Sequence, residues 1–295
     1  MTELTRRALQ RGDGPSASTS RQEEETGRTM LLRYVEGPKG RMELLEIPLT
    51  REDYLNPRFG DKWVQGRVHG DSIIDVGARL LEWSRSRPEF LILSDVQHLL
   101  SRGLPKPSPD ISVIRGARHP EKVDSSYSLA RQGVPPCLII ELISPRDPRI
   151  REIDEVDKVD LYQRIGVPEY LLVELPRKMP GRFGIFGYRL DPAGTYQRIV
   201  PDAEGGLLSE TTGLWFGISP EGDRVVIRDA VTGEPLPSLD EAVEERNREA
   251  AAREAAEAKA DAAEAKAAQE AEARQAAEDE LARLRAEIER LRRGE

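Results

Sequence analysis

The chain has 295 residues, 38% hydrophobic and 33% charged, with a net charge of -9 and one cysteine. That balance excludes a polycation gripping nucleic acid over its whole surface. One thiol, Cys137, excludes an internal disulfide framework, which suits a reducing compartment. No window nears the ~18 apolar residues of a membrane span and no signal-like apolar core opens the chain, so the expectation is a soluble, cytoplasmic protein.

Residues 1–28 are rich in Ser, Thr, Gly, Arg and Glu without apolar periodicity, and read as a disordered arm. A globular domain is expected over 30–237. Met30–Glu36 and Met42–Ile47 read as short strands. Thr50 suits an N-cap, with Asp53 at the capping-box position of a short helix reaching Leu55. Val68, Ile73, Ile74, Val76, Leu80, Leu81 and Trp83 recur at three- and four-residue intervals and predict an amphipathic helix from about Val68 to Arg87, with His69 in its first turn.

Phe90–Ser94 and Asp110–Ile114 are strand candidates, the second preceded by the proline-rich turn Pro105–Pro109. Leu138–Ile143 is apolar except for Glu141, the pattern of a strand covered on both faces. A helix is expected from about Ile150 to Ile165, ended by Gly166, and then a strand over Tyr170–Leu175. Strand, helix, strand implies a parallel pair. Phe183–Leu190 and Tyr196–Val200 read as a hairpin, and Leu214–Ile218 and Arg224–Arg228 as further short strands.

Residues 239–293 are almost all Ala, Glu, Arg, Lys and Leu, and predict one long helix. At ~1.5 Å per residue it would reach roughly 80 Å. Leu281, Leu284, Ile288 and Leu291 form a heptad seam. The readings are a coiled coil that makes a homo-oligomer or a solitary solvated helix.

Asp110 at the start of one strand and Glu141 inside another are costly placements, because a carboxylate taken into a strand core loses several kcal/mol of solvation unless compensated. A divalent cation such as Mg²⁺, with hard oxygen ligands, is the simplest compensation. Lys158, four residues after Asp154 and on the same helical face, could bring an ammonium group to such a site. Each residue also has a plainer reading: Asp110 as a turn cap, Glu141 in a buried pair with an arginine, Asp154 and Lys158 as a surface ion pair, and His69 as a capping or packing residue.

Pro109-Asp110-Ile111-Ser112-Val113, the run Cys137–Pro145, Asp154-x3-Lys158-x3-Tyr162 and Gly166-Val167-Pro168-Glu169-Tyr170 together resemble the Uma-two family of putative restriction endonucleases, within the PD-(D/E)XK nuclease superfamily. The resemblance covers roughly 44–236. It implies an α/β restriction-endonuclease-like core, a mixed central sheet flanked by helices, and a site that cleaves DNA with Mg²⁺ or Mn²⁺. By that resemblance Asp110 and Glu141 match the acidic metal ligands, and catalysis falls to Asp110, Glu141, Lys158 and His69. The superfamily lysine two residues after the glutamate is replaced here by Ile143, and Lys158 on the following helix takes its place. His69 matches a histidine on the family's first long helix. Glu174 stands where the family usually has Asp, and Trp63-Val64-Gln65-Gly66 departs from its Glu-rich strand. A silent module of the same fold, used for binding or assembly through the long helix, is the alternative.

Overall fold

The computed structural model describes residues 29–293 apart from Lys39, Val64, Gln65, Pro145 and Arg146. The arm expected over residues 1–28 lies outside the described residues. In chain order the elements are β1 (Met30–Glu36), β2 (Met42–Pro48), α1 (Arg51–Leu55), β3 (Lys62–Trp63), α2 (Arg67–Ser84), β4 (Phe90–Ser94), β5 (Gln97–Leu99), β6 (Ile111–Arg115), β7 (Ser126–Ser128), α3 (Leu129–Gln132), β8 (Leu138–Ile143), α4 (Pro148–Glu152), a π-helical turn (Ile153–Asp157), α5 (Lys158–Arg164), β9 (Glu169–Glu174), β10 (Gly184–Leu190), β11 (Tyr196–Arg198), β12 (Leu207–Ser209), β13 (Leu214–Ile218), β14 (Val225–Asp229) and α6 (Leu239–Arg293).

A six-stranded sheet in the order β11-β10-β9-β8-β6-β4 forms the centre. Only β8 and β9 run parallel; the other neighbours are antiparallel, so the sheet is mixed. Side chains alternate between its faces with a period of two. On one face Leu138, Ile140 and Leu142 of β8, with Leu171 and Val173 of β9, pack with Val76, Leu80 and Trp83 of α2 and with Leu214, Phe216 and Ile227 of the small sheet β12-β13-β14. On the other, Ile139 and Ile143 of β8, with Tyr170 and Leu172 of β9, pack with Leu161 and Tyr162 of α5. All six residues of β8 are buried, which is why it reads as an unbroken apolar run.

The local signals work through their expected chemistry. The Thr50 side chain accepts from Asp53 N at 3.1 Å and caps α1. Gly166 takes φ +77 after α5, a left-handed turn that a residue without Cβ enters at little cost. The helix expected over 150–165 spans Pro148–Arg164 and carries an internal π-helical turn. Its start moves to Asp147, whose side chain caps Arg149 N at 3.1 Å. Residues Leu239–Arg293 form one helix of 55 residues and a compact unit separate from 1–238. Among the described residues no helix is long and apolar enough to cross a membrane.

Candidate active site

The register of the central sheet builds the site. Ile111 pairs with Ile140 across β6 and β8. Continuing that antiparallel register by one residue sets Asp110 beside Glu141, where cross-strand Cβ atoms lie ~5 Å apart. Two backbone hydrogen bonds tie the pair: Leu142 N donates to Asp110 Oδ2 at 2.7 Å, and Asp110 N to Glu141 Oε2 at 3.4 Å. Glu141 shares the face of Ile139 and Ile143, toward α5. There Lys158 Nζ lies 2.8 Å from Glu141 Oε1, and the Tyr162 hydroxyl donates to the same oxygen at 3.1 Å. From the N-terminus of α2, His69 Nε2 stands 3.5 Å from Asp110 Oδ2. The structure thus brings Asp110, Glu141, Lys158 and His69 together.

Asp154 belongs to the same cluster. Its Oδ1 lies 2.8 Å from Lys158 Nζ, and both side chains are only 2% exposed, so the pair is not a surface one. Tyr54 of α1 donates to Asp154 Oδ1 at 3.2 Å, and its ring lies 4.5 Å from the Lys158 ammonium. The Tyr170 hydroxyl donates to the Asp154 carbonyl at 3.0 Å. The π-helical turn holds Asp154 and ends immediately before Lys158; such inserted turns recur at functional sites.

Burial sets the protonation of the group. It raises the Glu141 pKa to about 8, against the opposing charge of Lys158. It raises Asp154 too, again against Lys158. Burial works against the Lys158 ammonium, but Asp154 and Glu141 outweigh it and hold its pKa well above the ordinary value. His69 follows the same pattern: burial disfavours its cation, while the hydrogen bond and charge of Asp110 prevail and raise the pKa. Two carboxyl groups, Glu141 and Asp154, therefore face one permanent cation in a water-poor site, with Asp110 beside Glu141. A further cation is what would keep Glu141 ionised at neutral pH.

The donor set fits a magnesium ion. Magnesium takes one or two carboxylates and keeps several waters, and Asp110 with Glu141 could supply those two. Among the described residues no three His, Cys, Asp or Glu side chains are grouped to hold a metal. Two open clefts of about 710 and 490 Å³ lie elsewhere; Asp110, Glu141, Lys158 and His69 line neither.

A family model described as "Uma2: Putative restriction endonuclease" matches residues 53–221, more than half of the chain. The chain belongs to the Uma2 family. A solved structure described as a putative nuclease belonging to DUF820, from Anabaena variabilis ATCC 29413, is similar to this Uma2 chain at 14% identity and a TM-score of 0.32, over 59% of this chain and 78% of the other. No curated protein matches the chain. The family and the mixed α/β core with its flanking helices agree on a nuclease-type, restriction-endonuclease-like fold.

Two residues of the cluster escape a reading of the Uma2 sequence alone. Asp95 follows β4 with φ 52, the only non-glycine residue with positive φ among the described residues. Its N–H reaches the carbonyls of Pro109 and Asp110 at 3.1 and 3.2 Å. The side chain is exposed at the rim, yet protein crowds its carboxyl enough that burial, then the Asp110 charge, raise its pKa. Tyr54 is the other; nothing in a five-residue helix announces contact with a residue 100 positions away. Glu169, in the Gly-Val-Pro-Glu-Tyr element, serves the frame instead. It is fully buried and accepts from Ser209 Oγ at 2.5 Å, Thr211 Oγ1 at 2.6 Å and Arg189 Nε at 2.9 Å.

Proposed function

We propose that this Uma2 chain is a metal-dependent DNA endonuclease that hydrolyses phosphodiester bonds with Mg²⁺, for which Mn²⁺ can substitute. The observation that carries the reading is the meeting of Asp110 and Glu141 on adjacent strands with the Lys158 ammonium 2.8 Å from Glu141. Asp110 and Glu141 would hold the ion. When bound, the ion would polarise the scissile phosphate and lower the pKa of a coordinated water.

The remaining roles belong to the chain's own side chains. Lys158 stays charged because two carboxyls surround it. It therefore acts as a fixed cation that offsets charge developing on the phosphate, not as a base. Tyr162 donates to Glu141 and fixes the carboxyl's orientation. His69 sits against Asp110 Oδ2 and does the same there. Asp154 holds the ammonium as its second carboxylate, at 2.8 Å. Such groups need to be held within about 0.5 Å of the working geometry, and burial of the cluster provides that rigidity.

The test is cleavage of plasmid DNA in Mg²⁺ or Mn²⁺. Activity should vanish in Asp110→Ala and in Glu141→Ala, and survival of activity in both would remove the assignment. The silent-module alternative draws on one observation: Lys158 already bridges Glu141 and Asp154 in a closed ion cluster. Calorimetric titration with Mn²⁺ separates the two readings, since a working site takes up the ion and a purely structural cluster does not.

A further inference from the structure

The segment between Tyr54 and Trp63 is anchored at both ends to the wall of the site. Tyr54 touches Asp154 and Lys158, and its ring lies 5.7 Å from that of Trp63. Between them the chain makes an excursion whose tip is Phe59, 97% exposed. A phenylalanine left almost wholly in water forgoes ~1.5–3 kcal/mol of burial, which a ligand stacked on the ring would recover in part.

The excursion is built to hold that ring in place. Asp61 N donates to the Arg58 carbonyl at 3.0 Å and closes the turn. Gly60 at φ +87 supplies the left-handed residue that such a turn requires. The Asp61 carboxylate accepts Arg58 N at 2.9 Å and is gripped by buried Arg33 through Nε at 2.7 Å and Nη2 at 2.5 Å. Gln97 Nε2, two residues beyond Asp95, donates to the Pro57 carbonyl at 2.6 Å. Lys106 N donates to Asn56 Oδ1 at 2.9 Å and to the Leu55 carbonyl at 3.1 Å.

The surroundings of the tip are cationic. Arg58, Lys62 and Lys106 are exposed, and among the described residues none of the three has an acidic side chain within ion-pair distance. Arg58 and Lys62 stand one and three residues along the chain from this bare aromatic, so exposed positive charge flanks the ring. That combination, a stacking ring among phosphate-binding cations, is how proteins hold nucleic-acid strands.

We infer that Phe59 stacks on a base of the bound DNA, with Arg58 and Lys62 on the flanking phosphates, and that the turn Arg58–Asp61 guides the strand into the site. This rests on the nuclease reading above. Phe59 is four residues from Trp63, so its Cα lies at most ~14 Å from that of Trp63.

The experiment measures affinity for a fluorescently labelled oligonucleotide, as a single strand and as a duplex, in a Glu141→Gln background that arrests cleavage. Phe59→Ala is expected to weaken binding roughly 5- to 100-fold, and Phe59→Trp to keep it. Arg58→Ala and Lys62→Ala should each lower the slope of log affinity against log salt by about one phosphate contact, ~0.7–0.9. Equal affinity of Phe59→Ala and its parent overturns the inference. So does an unchanged affinity accompanied by altered self-association, which would make the ring a protein contact. If the unaltered chain cuts DNA and Phe59→Ala cuts and binds it equally well, only this inference falls. If the unaltered chain neither binds nor cuts DNA, the nuclease reading falls with it.

Discussion

Lys158 Nζ and Glu141 Oε1 lie 2.8 Å apart with side chains 2% and 1% exposed, and the ammonium has a second carboxylate, that of Asp154, at the same distance. Breaking a buried pair by deleting one partner costs about 3–5 kcal/mol, because the other charge stays behind unpaired. Lys158→Met should show that loss in urea unfolding near pH 9, where Glu141 is ionised. The loss should be clearly smaller near pH 6, where Glu141, its pKa raised to about 8, takes up a proton. Adding Glu141→Gln should recover part of the deficit, and additive effects of the two substitutions would show that they do not interact.

The same carboxyl makes stability depend on pH in an unusual direction. The folded pKa of about 8 lies above the ordinary 4.5. Between those values the folded chain keeps a proton that the unfolded chain has released. This contribution is therefore fully present below about pH 4.5 and is lost as pH rises through 8. The slope is at most ~1.4 kcal/mol per pH unit. With divalent ions chelated, the denaturation midpoint should fall across this window in the unaltered chain and stay flatter in Glu141→Gln. Mn²⁺ should stabilise the chain more at pH 8 than at pH 6, because the ion favours the ionised carboxyl; equal stabilisation at both would argue that it binds elsewhere.

What the amino-acid string discloses here follows from how local each cause is. Glu141 stands out because it breaks a strand whose other five residues are apolar and buried, and the Asp110 pairing follows once β6 and β8 are neighbours. Asp154 and Lys158 look like any solvent-facing pair four residues apart. Their burial depends on Tyr54 arriving from α1 and Tyr170 from β9, contacts that no window of sequence contains. The π-helical turn is one inserted residue inside a periodic pattern and leaves no mark on it. The parallel pair β5 and β7 has three residues in each strand, too short for alternation to register. Asp95 turns on a single backbone angle, which an aspartate after a strand does not advertise.

The C-terminal helix carries its own expectation. Within α6, Leu281, Leu284 and Ile288 are 51%, 50% and 51% exposed, an apolar seam with heptad spacing. Such a seam is stabilised when a second helix covers it, and the alanine-rich stretch before it offers little area to bury. The 295-residue chain should therefore sediment as an oligomer that dissociates on dilution, and Leu284→Glu with Ile288→Glu should leave a monomer whose proposed DNA cleavage is unchanged. An unchanged mass in the double variant would assign assembly to another surface.

His98 supplies the opposite pH dependence and a means of separating it from Glu141. The ring is wholly buried, neither nitrogen has a hydrogen-bond partner among the described residues, and its neighbour is the Tyr127 ring at 5.2 Å. Burial alone pushes its pKa down to about 3 from 6.5. Between those values the unfolded chain binds a proton that the folded chain refuses, so stability is lost as pH falls from 6.5 toward 3. His98→Phe keeps a flat ring against Tyr127 and removes both unpartnered nitrogens, each of which costs about 1–3 kcal/mol when desolvated without a partner. The variant should be at least as stable as its parent near pH 7. Its advantage should widen by up to ~1.4 kcal/mol per unit below pH 6.5, read from denaturation midpoints in acid. A constant difference across that range would mean that His98 finds a proton acceptor when it charges, and that the pocket around it is not dry.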